Sequence, residues 1–251
     1  MRSILKMLIQ SENILEPRDG QIEARKRKVS IGDHIPKLLD LALNLSEQYP
    51  AKTSSSLFSF AYALDDLGYK DEAIVAYRKL TCDIKPNFHE AWHNLGISLF
   101  SIKKDKEAID SYRKAVERKP DKYKAWDAMG IAYGRQREYS KAVAAYSAAI
   151  KINPDDWQTL YNRGNASYYL EQYGSALADW QKASELNPEL SQAFYNQACV
   201  YGRIENVQKA LETLEKAIAI NPKRYKELAK KDIDQYFSSI ESERRFQDLV
   251  A

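Results

Sequence analysis

The sequence predicts an all-α protein, a superhelical solenoid of antiparallel helix hairpins stacked in series. Three observations predict it. Pro86, Pro120, Pro154, Pro188 and Pro222 recur every 34 residues. Between the prolines, apolar and small residues fall three or four apart, the spacing that puts side chains on one face of a helix. Alternating Val/Ile/Thr runs between Asn-Gly turns, which would mark strands, are missing, and glycine is low at 9 of 251 residues.

The chain opens with MRSILKMLIQSEN, briefly apolar but broken by Lys6 and followed by no small-residue cleavage site, so a signal peptide is not expected. This segment is expected to fray or to dock on its own domain. Residues 1–30 read as a basic helical extension. Its tetrad Arg25-Lys26-Arg27-Lys28, with Val29 and Ser30, resembles a nuclear-import signal and a basophilic kinase site, although such runs are more often solvated charge. Residues 31–53 read as a degenerate repeat or N-terminal cap, with Gly32-Asp33-His34 leading into a Leu-rich helix that ends at Pro50.

Five repeats follow, at 54–88, 89–122, 123–156, 157–190 and 191–224. In the last four, Trp92, Trp126, Leu160 and Phe194 share one slot, and Gly96, Gly130, Gly164 and Ala198 share the slot four residues later. Ala108, Ala142, Ala176 and Ala210 open a second helix, followed by Tyr112, Tyr146, Trp180 and Leu214, then Ala115, Ala149, Ala183 and Ala217. Gly and Ala slots allow close approach of two helices, aromatic slots fill the space beside them, and proline ends the second helix. Repeat 54–88 fits the pattern through Leu57, Ala61, Gly68, Ala73 and Tyr77 if one residue is inserted before Pro86. One hairpin cannot bury its apolar face alone, so stacking must complete the core. Residues 225–251 are expected to cap the last hairpin, with a helix from Tyr225 to Lys231 and an apolar stripe of Phe237, Ile240, Phe246 and Leu249.

Trp126-x-x-Met129-Gly130-x-x-Tyr133, Ala142-x-x-x-Tyr146 and Pro154, repeated at this period, resemble the tetratricopeptide repeat (TPR) family. The resemblance implies a right-handed superhelix whose first helices line a concave, peptide-binding face. An inward slot two residues after the Trp position reads Ser59, Asn94, Ala128, Asn162 and Asn196, with Asn165 one turn beyond Asn162. An amide carries both donor and acceptor and can pair with an extended peptide backbone, or it can join neighbouring helices. Tyr161, Tyr168 and Tyr195, with Phe58 and Tyr62 towards the N-terminus, supply contact area with a polar tip. Lys124, Arg135 and Arg203 add positive charge that favours an acidic ligand. The carboxylate clamp of chaperone-tail-binding members is matched only at Asn94 and Lys124, with Phe58, Tyr62 and Ala128 at its other positions, so that specialisation is not expected.

His89-Glu90-Ala91-Trp92-His93 matches the zinc-hydrolase pattern H-E-x-x-H. The same window in later repeats reads YKAWD, WQTLY and SQAFY, so both histidines occupy variable surface positions of an ordinary helix. A zinc hydrolase also needs a third ligand and an open position. Cys199 lies on a first helix without a histidine to activate it and is expected as a small buried hydrophobe. The chain is therefore expected to be non-catalytic, without cofactor or metal.

The expected function is a protein–protein interaction scaffold or assembly factor that binds a peptide segment or partner protein in the concave groove. One alternative is a regulatory or sensing subunit that docks a catalytic partner through its N-terminal helices; the other is the zinc hydrolase. Net charge is +3, and acidic residues interleave with the bases, so nucleic acid is not an expected partner. No apolar run reaches membrane-spanning length, and two distant cysteines, Cys82 and Cys199, fit a reducing, cytoplasmic setting.

Overall fold

The computed structural model describes residues 22–251, with side chains from His34 onward. The expected fraying or docking of the first segment, and the side chains of the basic tetrad Arg25–Lys28, lie outside the described residues. The described residues divide into two compact units, 22–120 and 121–251, and every described element is helical.

In the first unit, α1 spans Ile22–Gln48 as one helix that continues through Gly32 and contains Pro36. A single helix, with no hairpin turn at 32–34, therefore occupies this position. Two hairpins follow: α2 (Pro50–Asp66) with α3 (Lys70–Lys79), then α4 (His89–Ser101) with α5 (Asp105–Arg118). The inserted residue expected before Pro86 has a clear structural outlet. Helix α3 runs into a π-helical turn at Leu80–Ile84, where the Lys85 N–H bonds five residues back to the Leu80 carbonyl at 2.8 Å. A π-turn absorbs one extra residue without ending the helix.

The second unit contains α6 (Tyr123–Arg135) with α7 (Tyr139–Ile152), α8 (Trp157–Tyr169) with α9 (Tyr173–Leu186), and α10 (Ser191–Arg203) with α11 (Val207–Ile220). Helix α12 (Pro222–Lys231), a π-helical turn at Ile233–Phe237 and α13 (Arg244–Val250) complete it.

Each hairpin starts and stops for local reasons. The residue before each repeating proline, such as Lys119 (φ −142°, ψ 80°) or Asn187 (φ −131°, ψ 89°), is pushed out of the helical region by the proline ring. Between the two helices the chain makes a left-handed turn. Gly68 takes it at φ 91°, and Lys103, Arg137, Glu171 and Glu205 take it at φ 58–64°. There the backbone closes a Schellman motif, as where Gln172 N–H bonds Ser167 O and Glu171 N–H bonds Tyr168 O, both at 2.9 Å.

The core follows the repeat slots. A Cβ built on Gly96 would lie 2.5 Å from the Tyr112 ring, one on Gly130 2.6 Å from Tyr146, and one on Gly164 2.6 Å from Trp180. The glycine slot therefore exists because the aromatic of the same hairpin fills it. Beyond the last hairpin, Phe237, Ile240, Phe246 and Val250 are buried and join Leu214, Ala217 and Tyr225 in one apolar cluster. The C-terminal segment thus covers the apolar surface of α10 and α11, an open end that a solenoid cannot leave to water.

Candidate functional site

The residues expected to line the groove separate into distinct groups. In the first unit, Asn94 is half-buried and its amide donates to the Tyr77 hydroxyl at 3.4 Å. Phe58 packs against Phe88 with ring centroids 4.9 Å apart, and Tyr62 is exposed.

In the second unit, Asn162 lies beside the Asp127 carboxylate and favours its charged form. Asp127 accepts from the Thr159 hydroxyl at 3.0 Å, while burial, together with the nearby Asp156 charge, raises its pKa to about 6. Thr159 therefore ties α8 to α6, with Asn162 beside the contact. Lys124 and Arg135 are exposed on α6.

Asn165, Asn196, Tyr161, Tyr168 and Tyr195 do come together. They line one pocket of ≈ 370 Å³ between α8, α10 and the segment after α12. Its amides are ordered by their neighbours: the Trp180 indole N–H donates to Asn165 Oδ1 at 3.1 Å, and Asn196 Nδ2 donates to the same oxygen at 3.2 Å. Asn196 Nδ2 also approaches the Tyr161 hydroxyl at 3.5 Å. Asn165 Oδ1 is thus committed to two internal donors, which leaves the Asn165 NH₂ and the Asn196 carbonyl as the amide groups available to a ligand.

Asp232, Tyr236, Tyr169, Trp180 and Cys199 also line this pocket, and sequence reasoning did not assign them to a site. The Tyr195 hydroxyl donates to Asp232 Oδ2 at 2.8 Å, and the Tyr168 hydroxyl donates to that of Tyr236 at 3.1 Å. A Cβ on Gly202 would overlap the Tyr236 carbonyl oxygen, so this glycine admits the backbone of the C-terminal segment beside α10. Burial raises the pKa of the Tyr195 hydroxyl, which remains a donor, and nearby Cys199 and Asp232 add to the effect. Burial likewise pushes the Cys199 thiol well above its usual range, helped by the Asp232 charge, which makes it a poor nucleophile. Arg203 is exposed beside the pocket, with its guanidinium carbon 5.8 Å from the Tyr173 ring centroid.

The H-E-x-x-H histidines belong to α4 of the first unit. His89 Nε2 pairs with Glu90 at 3.2 Å, and the His93 ring lies 5.8 Å from that of Tyr112. Among the described residues no three His, Cys, Asp or Glu side chains gather as a metal site. No described helix is long and apolar enough to cross a membrane.

No curated protein sequence matches the chain. Solved structures do. A TPR protein described as having an unusual peptide-binding site, YrrB, is 24% identical with a TM-score of 0.67, covering 76% of this chain and 97% of its own. MamA is 23% identical with a TM-score of 0.63, covering 66% of this chain and 96% of its own. A MamA double mutant is 20% identical with a TM-score of 0.64, covering 68% and 96% respectively. At these identities the likeness establishes the fold. Tetratricopeptide repeat models match residues 54–81, 89–122, 157–190 and 191–224, and a TPR repeat model matches 136–170. With the glycine–aromatic packing of three hairpins, these matches support a protein-interaction scaffold and show that the chain belongs to the tetratricopeptide repeat family.

Proposed function

We propose that the protein is a non-catalytic scaffold or assembly factor that grips a segment of a partner protein in the groove of its second unit, at the pocket between α8 and α10. The observation that carries this reading is the pocket itself. Five tyrosines, a tryptophan and two asparagines converge on ≈ 370 Å³ of open space. Tyrosine and tryptophan give rigid contact area with little conformational freedom to lose, and ordered amides fix the direction of a hydrogen bond. The surrounding helices are held before any ligand arrives, which lowers the entropy lost on binding. Exposed Lys124, Arg135 and Arg203 suit acidic positions in the ligand outside the pocket. A cytoplasmic setting accords with the free, unpaired cysteines Cys82 and Cys199.

Affinity capture with two baits tests the reading: the wild type, and Tyr169→Ala combined with Asn196→Ala. Tyr169 is 62% exposed and Asn196 half-buried, so the variant is expected to keep its helicity. The reading expects a partner held by the wild type and lost with the variant. A partner held equally by both would move the interaction off this groove, towards the regulatory alternative in which α1 docks a catalytic protein.

A further inference from the structure

The pocket has a chemistry that the repeat pattern does not explain. Its walls are the rings of Tyr161, Tyr168, Tyr169, Tyr195, Tyr236 and Trp180, and the single charged side chain among its lining residues is Asp232. No lysine, arginine or histidine is part of that lining. Asp232 and Tyr236 arrive from beyond the last repeat, and each is fixed by a hydroxyl of the groove, Tyr195 at 2.8 Å and Tyr168 at 3.1 Å. The acid is therefore built into the site.

We propose that this pocket is a cation site, formed for an alkylammonium or guanidinium group. Taken with the groove reading above, on which this step rests, the ligand is a lysine or arginine side chain of the bound segment. Aromatic faces carry negative quadrupole potential and attract cations, more strongly where water is partly excluded. Tyr195 occupies Asp232 Oδ2, which leaves Oδ1 for a charge-assisted bond. The Asn196 carbonyl adds a second acceptor. A carboxylate entering the same space would meet Asp232 as a like charge. At ≈ 370 Å³ the pocket lies at the small end of the roughly 300–1,000 Å³ usual for ligand sites, a size for a side chain and not for a helix. A resident cation already stands at the rim: the guanidinium of Arg203 sits 5.8 Å from the Tyr173 centroid and interacts with the pocket tyrosines Tyr168 and Tyr236. Arg203 stands outside the lining and opposes a second cation by charge, so it tunes the site downward.

The test uses the full chain and follows the Trp180 indole N–H by NMR, assigned with Trp180→Phe, because that group hydrogen-bonds to Asn165 in the pocket wall. The probes are the N-acetyl methylamides of lysine, arginine, norleucine and glutamate. The expected result is a saturable shift with lysine and arginine and none with norleucine or glutamate. Asp232→Asn, which keeps an acceptor for Tyr195, weakens binding at least tenfold. Asp234→Asn, an exposed neighbour with the same change in charge, leaves it unchanged. Arg203→Ala strengthens it a few-fold. Equal saturation by norleucine, unaltered binding to Asp232→Asn, or no saturation by either cation would overturn the proposal. The capture experiment separates this from the groove reading. Cation binding with partners retained by the groove variant keeps the cation site and removes the groove reading, whereas no cation binding with partners lost does the reverse.

Discussion

Gly96, Gly130 and Gly164 sit where the second helix of the same hairpin turns an aromatic ring towards the first. The Cβ distances of 2.5–2.6 Å leave no room for a methyl group unless a packed ring moves. Gly164→Ala is therefore expected to destabilise the protein by about 1–3 kcal/mol, even though alanine is the better helix former, because overpacking outweighs propensity. Urea unfolding measures this, and a gain in stability would show that Trp180 can yield. Asp127 makes a prediction about pH. Its pKa in the folded chain is raised to about 6 by burial, so the folded state holds the proton more tightly than the unfolded state does. The resulting stabilisation is full below about pH 4 and is lost as pH rises through 6. Asp127→Asn is expected to gain on the wild type by about 2 kcal/mol between pH 4 and pH 7.5. Urea midpoints at the two pH values check this, and a pH-independent gap between the proteins would contradict it. The repeat slots made the glycines legible in the sequence. The Asp127 contact was not legible, because it depends on which side chain the neighbouring hairpin presents.

Among the elements, α8 is tied to both neighbours by one side chain. Arg163 grips Asp179 of α9 with two hydrogen bonds, at 2.6 and 2.8 Å, and reaches Ser147 of α7 at 3.1 Å. Asp179 is buried. Arg163→Ala leaves that carboxylate without its partner and is expected to destabilise the fold by about 3–5 kcal/mol, read as a fall in thermal midpoint. A change under 1 kcal/mol would mean that water replaces the guanidinium. The C-terminal segment was legible only in part. Phe237, Ile240 and Phe246 form a visible apolar stripe, and they do pack on α10 and α11. Asp232 and Tyr236 belong to no repeat slot, so nothing in the pattern showed that they would turn into the groove. The π-turn at 233–237 sets their direction, and no one-residue insertion against a repeating register marks it, as one does at Leu80–Ile84. Deleting 232–251 uncovers the buried cluster of α10 and α11, and the shortened chain is expected to self-associate on size-exclusion chromatography. A stable monomer with an unchanged melting point would show that α12 alone closes the end.

Across the whole molecule, the 34-residue period made the all-helical hairpin fold legible, because each hairpin carries the same packing problem and solves it with the same residue types. The groove was only partly legible. Tyr161, Tyr168, Tyr195, Asn165 and Asn196 share one pocket, whereas Asn94 bonds Tyr77 and Asn162 faces Asp127. An inward slot fixes which way a side chain leaves its helix, but not whether a neighbour has already claimed it. The proposed partner binds where α8, α10 and the 232–237 segment converge. Hydrogen exchange of the chain alone and with its captured partner tests this most directly. Slowed exchange is expected in residues 157–169, 191–203 and 232–237 when the partner is present. Protection confined to α1, or to the second helices α7, α9 and α11, would contradict it.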